Sequence, residues 1–194
     1  QYIYDGESKL LAKEVMQNGQ PLYDQAYIGN LVYEDGALKQ IMTPYGRVNV
    51  SSGAYHYEYF IKDHLGNIRV MFADYNGDNQ AEIIQEDHFY PFGMRMPGLS
   101  YLGSGAQEND YLYNGKQLHK DEYSGKRLNW YSYGFRYYDP QLAKWHVPDP
   151  LSEKYYSESP YNYVGNNPIN YVDPVGLSAV HPYGDDAQNF WNWL

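Results

Sequence analysis

Five short turn signals set the strongest constraint on this chain: Asn18-Gly19, Asp35-Gly36, Asn76-Gly77, Asn114-Gly115 and Ser124-Gly125. Asn-Gly and Asp-Gly supply the positive φ that a two-residue β-hairpin loop needs. The flanks read as strands. Leu31-Val32-Tyr33 leads into Asp35-Gly36, and Leu38 to Met42 leads out. Ile68, Val70 and Phe72 alternate with Arg69 and Met71 ahead of Asn76-Gly77, and Ile83-Ile84 follows. Tyr111-Leu112-Tyr113 precedes Asn114-Gly115, and Trp130 to Tyr138 forms a further alternating aromatic run.

Tyrosine supplies much of the apolar surface, with 25 residues among 194. Its ring is apolar and its hydroxyl reaches water, so it suits a half-buried strand. Tyr-x-Tyr recurs at 2–4, 57–59, 111–113, 131–133 and 161–163, which puts two rings on one face of a strand each time. These rings are read as structural, with a sugar-stacking surface as the minor alternative. The predicted class is all-β: an antiparallel array of hairpins, each unable to bury its face alone and so stacked on its neighbours. Glu7 to Gln17 is open between helix and strand. Residues 150–160 read as a surface loop or short helix. Asp185-Asp186 reads as an N-cap for a short helix through Phe190, Trp191, Trp193 and Leu194.

A net charge of −10 without a basic stripe argues against a nucleic-acid partner. No apolar run reaches membrane-span length, and no leader is visible. The opening Gln1-Tyr2-Ile3-Tyr4-Asp5-Gly6 reads as mid-strand, so a piece of a longer chain is expected. Zero cysteines exclude disulfide and thiol chemistry. The six histidines, His56, His64, His88, His119, His146 and His181, include no pair at zinc spacing, so no metal or cofactor is expected. Counted from Asp74 as an EF-hand, glycine falls fourth and the twelfth residue is Gln85, so Asp74-Tyr75-Asn76-Gly77-Asp78 is read as a hairpin turn. No Gly-x-Ser-x-Gly elbow is present.

The strand texture ends at "NYVDPVGL", residues 170–177. Five ordered blocks lead to it: "IKDHLGNIRVMF", "QEDHFYPFGM", "YLYNGKQL", "LNWYSYGFRYYDPQLAKWHVPDP" and "SPYNYVGNNPINYVDPVGL". This stretch resembles the Rhs repeat-associated core domain, in the form common in Bacteroidetes-like sequences, and spans about three-fifths of the chain. Residues 1–58 look like degenerate tyrosine-aspartate (YD) repeats. The resemblance implies three segments: hairpin repeats over 1–58, core domain over 59–177 and the start of a variable C-terminal passenger over 178–194. It also implies a spiral shell of YD hairpins, closed at one end by the core domain, in a secreted or cell-surface-delivered bacterial toxin. The partners it implies are the chain's own passenger, the remaining shell repeats and a secretion apparatus.

The resemblance further implies self-cleavage after the Leu of Asp-Pro-x-Gly-Leu, between Leu177 and Ser178. Asp149 and Asp173 match the aspartyl-protease-like pair, with Arg136 in support. Peptide hydrolysis needs a base for water and an acid for the leaving amine. Two carboxylates sharing a proton supply both, because their repulsion splits the pKa values. Asp173-Pro174-Val175-Gly176 has turn chemistry that keeps Asp173 near the target bond. Arg136 offers a permanent charge and a planar fork to orient a carboxylate or an oxyanion. Asp139-Pro140 receives no catalytic part. Ala143-Lys144 stands where Gly-Arg is frequent, and 150–168 is not the glycine-rich loop of many relatives. The rival reading is a non-catalytic structural module, or a glycan- or protein-interaction repeat.

Overall fold

A computed structural model describes residues 2–6, 10–17, 20–104, 106–123, 126–154 and 156–182. Asn18-Gly19, Ser124-Gly125 and the Asp185–Leu194 helix expectation therefore lie outside the described residues. The chain forms two compact units interleaved in sequence: one from residues 1–61, 70–86 and 102–106, the other from 62–69, 87–101 and 107–194. No helix among the described residues is long and apolar enough to cross a membrane.

The hairpin expectation holds over the first half. Ten strands pair in chain order: β1 Tyr2–Tyr4, β2 Leu10–Gln17, β3 Gln20–Ile28, β4 Leu31–Glu34, β5 Ala37–Thr43, β6 Gly46–Ser51, β7 Ala54–Lys62, β8 Ile68–Ala73, β9 Glu82–Glu86 and β10 Tyr101–Leu102. The open 7–17 stretch resolves as strand over Leu10–Gln17. Pairing of Glu34 with Ala37 leaves Asp35 and Gly36 as a two-residue loop, with φ of +50° and +75°. Both angles are positive, as a primed turn requires. The same loop length joins Ile28 to Leu31, Thr43 to Gly46 and Ser51 to Ala54, three turns that the dipeptide scan does not single out. Asn76-Gly77 differs from expectation: Ala73 pairs with Glu82, so the connection has eight residues. Asp74 organises it by accepting the N–H groups of Gly77 (2.7 Å) and Asn79 (2.9 Å).

Polarity across β6 and β7 is inverted. Tyr55, Tyr57, Tyr59 and Ile61 are exposed, whereas Arg47, Asn49 and Glu58 are buried. Arg47 Nε pairs with Glu58, and Asn49 and the Tyr75 hydroxyl donate to the same carboxylate. Burial and then Glu58 push the Tyr75 phenol up to about 12. Alternation separates two faces but does not say which one is covered. Here the covered face is ionic.

The second unit carries a four-stranded sheet, ordered β11 Gln117–His119, β14 Trp130–Ser132, β15 Tyr137–Asp139 and β16 Lys144–Trp145, with β12 Glu122–Tyr123 and β13 Lys126–Arg127 as a separate pair. Residues 152–154, within the expected loop or short helix, form one 3₁₀ turn. The core is aromatic: Tyr113, Tyr131, Tyr133, Tyr138, Trp145 and Tyr163 with Phe89, Leu112, Leu118 and Val164. Tyr138 and Tyr163 stack at 4.1 Å between centroids, and Trp145 meets Tyr133 edge-on at 5.1 Å. Two Tyr-x-Tyr pairs, 111–113 and 161–163, lie outside strands and flank 3₁₀ turns. Asn114, read from sequence as a hairpin-turn residue, is buried. Its amide donates to Leu65 O, and its Oδ1 accepts the hydroxyls of Tyr133 and Tyr163, each at 2.7 Å.

Candidate functional site

The site begins with a turn. Asp173 follows Val172, which exchanges both backbone hydrogen bonds with Val180, so residues 173–179 form a loop closed at its base. Within it Asp173 Oδ1 accepts three N–H groups, from Val175 (3.2 Å), Gly176 (2.7 Å) and Leu177 (3.0 Å). The Asp first, Pro second, Gly fourth pattern thus produces a carboxylate-capped turn. Gly176 has φ +84°, and a Cβ there would come within 3.1 Å of Arg136 N. The backbone angle strains any side chain there, and the tight contact adds to the preference for glycine.

Asp149 arrives from another direction. It follows β16, and its N–H bonds Pro160 O at 2.8 Å while Trp145 N–H bonds Tyr161 O at 3.1 Å. The segment after Asp149 therefore doubles back beside β16, and this reversal closes the sequence gap between the two aspartates. Asp149 Oδ1 accepts the Leu151 N–H at 2.7 Å.

Arg136, ahead of β15, joins the two. Its Nη2 is 2.9 Å from Asp149 Oδ2 and 3.4 Å from Asp173 Oδ2, and its Nε donates to Gly176 O at 2.5 Å. The guanidinium lies over the Trp145 ring, 4.2 Å from the centroid. Burial works against its charge, and Asp149 and Asp173 oppose that effect. Burial likewise pushes the Asp173 carboxyl up, against the N–H groups of Leu177 and Gly176 and the Arg136 charge. The sequence-predicted trio is thus brought together, with both carboxylates meeting one guanidinium nitrogen, whose charge favours their ionised forms while burial opposes this at Asp173.

A cavity of about 350 Å³ opens on this cluster, lined by Arg136, Trp145, Asp149, Asp173, Leu177 and Ser178 among others. Three carbonyls of the turn are held: Pro174 O by Lys116, Val175 O by Phe135 N–H and Gly176 O by Arg136. Among the described residues, the Leu177 carbonyl and Ser178 N–H have no hydrogen-bond partner, and neither does Arg136 Nη1, which is buried. The Leu177–Ser178 peptide is thus one of the loop's links without a hydrogen bond, and Arg136, whose buried Nη1 is unpartnered, lines the same cavity.

Sequence reasoning missed Lys116. Its Nζ is 2.7 Å from Pro174 O and 5.5 Å from the Tyr133 ring centroid. The "YNGKQL" block contains it, but nothing local distinguishes a half-buried lysine from a surface one. Asp139, set aside from sequence, is a turn cap: its Oδ1 accepts the N–H groups of Gln141 (2.8 Å) and Leu142 (3.1 Å).

The antiparallel hairpin fold is similar to that of solved Tc toxin structures. The crystal structure of a TcdB2–TccC3–Cdc42 complex matches 99% of this chain with a TM-score of 0.67 at 22% identity, and that of TcdB2–TccC3 matches 91% with 0.65 at 23%. In sequence, the Yersinia entomophaga toxin subunit YenC1 is 30% identical over 101 residues, 52% of this chain. The chain spans about a tenth of these proteins' length, 10% of YenC1 and 9% of each crystallised chain. No protein-family model matches it.

Proposed function

We propose that this chain is the shell and core segment of an Rhs-type polymorphic toxin and that it cuts its own backbone between Leu177 and Ser178. On this reading residues 1–58 are YD-type repeats, 59–177 the Rhs core domain and 178–194 the start of the passenger. The protein is secreted or delivered at a cell surface, and its partners are its passenger and the rest of the shell. The observation that carries the reading is the convergence of Arg136, Asp149 and Asp173 on the cavity that also holds Leu177 and Ser178.

The chemistry divides by restraint. Asp173 spends Oδ1 on three N–H groups and acts as the frame. Asp149, the less engaged carboxylate, takes a proton from water as the water oxygen bonds to the Leu177 carbonyl carbon. Arg136 Nη1 donates to the oxygen that gains charge. When the C–N bond breaks, Asp149 returns the proton to the Ser178 nitrogen, and the Leu177 carboxylic acid so formed passes its own proton to the amine, leaving a Leu177 carboxylate and a Ser178 ammonium. Target and catalyst share one chain, so proximity replaces substrate binding and each molecule turns over once. Denaturing mass spectrometry of the purified chain and of Asp149→Asn tests this: the parent loses Ser178–Leu194 and the variant stays whole. Two intact chains overturn it.

A second reading has its own support. Three N–H groups on one oxygen and a shared arginine are also what a purely structural cap needs, and an intact parent chain would favour that inert module. Exposed Tyr55, Tyr57 and Tyr59 on one strand face support a glycan-binding variant of it, which a glycan array with tyrosine-to-serine substitutions separates.

A further inference from the structure

The geometry points to Lys116 as a positioning residue for the cut: it anchors the Asp173–Gly176 turn through the Pro174 carbonyl so that the Leu177–Ser178 peptide faces the Arg136–Asp149 pair. The inference rests on the self-cleavage reading and deepens it. Pro174 lacks an N–H, so its carbonyl is the only polar backbone group by which that residue can be held. Lys116 Nζ takes it at 2.7 Å. The lysine is itself fixed, because Lys116 N–H bonds Tyr113 O (2.9 Å) and Lys116 O accepts the Leu112 N–H (3.0 Å), both beside the buried Asn114 hub. Two cations therefore grip alternate carbonyls of one turn, Lys116 at Pro174 and Arg136 at Gly176, while Asp173 grips the N–H groups between them.

A surface lysine would give the same hydrogen bond with less effect. Burial pushes the Lys116 ammonium down to about 8, and Asp173 works in the opposite direction. The groups facing it are Asp173 from the turn and the Tyr133 ring from the strand side; Tyr133's own phenol is pushed well up by burial and stays neutral. Because its folded pKa lies below the unfolded one, the charged lysine is a stability cost below about pH 8, and stability rises between about pH 8 and 10.5.

Lys116→Met separates the roles. The expected result at pH 7 is cleavage slowed at least tenfold with a thermal midpoint equal to or above the parent's, and amide exchange at Gly176 and Leu177 accelerated at least tenfold while β4 and β5 amides are unchanged. Cleavage at the parental rate, or unchanged exchange at those two amides, overturns the proposal. Should the variant not fold, Lys116→Arg, which keeps a cationic donor for Pro174 O, serves: cleavage within about tenfold of the parent's is expected, and a folded Lys116→Arg chain that does not cleave contradicts the role. If the parent never cleaves, the self-cleavage reading fails, and the exchange measurement still decides whether Lys116 anchors the turn.

Discussion

At the scale of single residues, the site owes its form to atoms with nowhere else to bond. Gly176 is the sharpest case. Substitution to Ala adds a side chain at φ +84° and brings a carbon within 3.1 Å of Arg136 N. The expected loss is about 1–3 kcal/mol from backbone strain, with cleavage slowed because Gly176 O no longer meets Arg136 Nε. Chemical denaturation and a cleavage time course read the two effects separately. From sequence, Asp149, Asp173 and Arg136 were legible because an ordered set of motifs carried them. Their relation was not: nothing in the spacing of two distant aspartates says that both reach one guanidinium, which the reversal over residues 149–160 brings about.

Elements show the same division. Two-residue hairpins were legible wherever Asp-Gly announced them, but the loop between Ile28 and Leu31 and that between Thr43 and Gly46 were not, and the 74–81 loop was mistaken for a short turn. The register of β6 against β7 pairs Arg47 with Glu58 on the covered face. Arg47→Met alone is expected to cost about 3–5 kcal/mol, since it leaves a buried carboxylate uncompensated, whereas replacing both partners with apolar residues recovers much of that loss. Urea titration of the single and double variants checks this. A second element-level expectation concerns the base of the site loop. Val180 stays paired with Val172 and packs with Leu65, all independent of the Leu177–Ser178 bond. A cut chain should therefore run as one particle in native mass spectrometry and as two under denaturing conditions. Val180→Pro, which removes one N–H of the bridge, should let the pieces part without denaturant.

Across the molecule, tyrosines take two roles: they fill the second unit's core and stand exposed on one face of β7. The composition is the same in both places, so it announced an all-β chain without saying where the core lies. Ion clusters add a pH dependence. Glu108 bonds both Lys120 and Arg95, at 2.7 Å each. Burial raises its pKa, but the two cations outweigh burial and hold the carboxyl below its usual range. A depressed carboxylate contributes stability above its unfolded value and loses it as pH falls through the folded one. The thermal midpoint should therefore drop on acidification below about pH 4.5, and Glu108→Gln should lower the neutral-pH midpoint while flattening that slope. The central claim remains the folding-driven cut. Sequencing the first residue of any fragment formed during incubation in heavy-oxygen water tests it most directly. The account predicts a new chain beginning at Ser178 and one heavy oxygen in the Leu177 carboxylate. A different first residue, or no fragment from a folded chain, would contradict it.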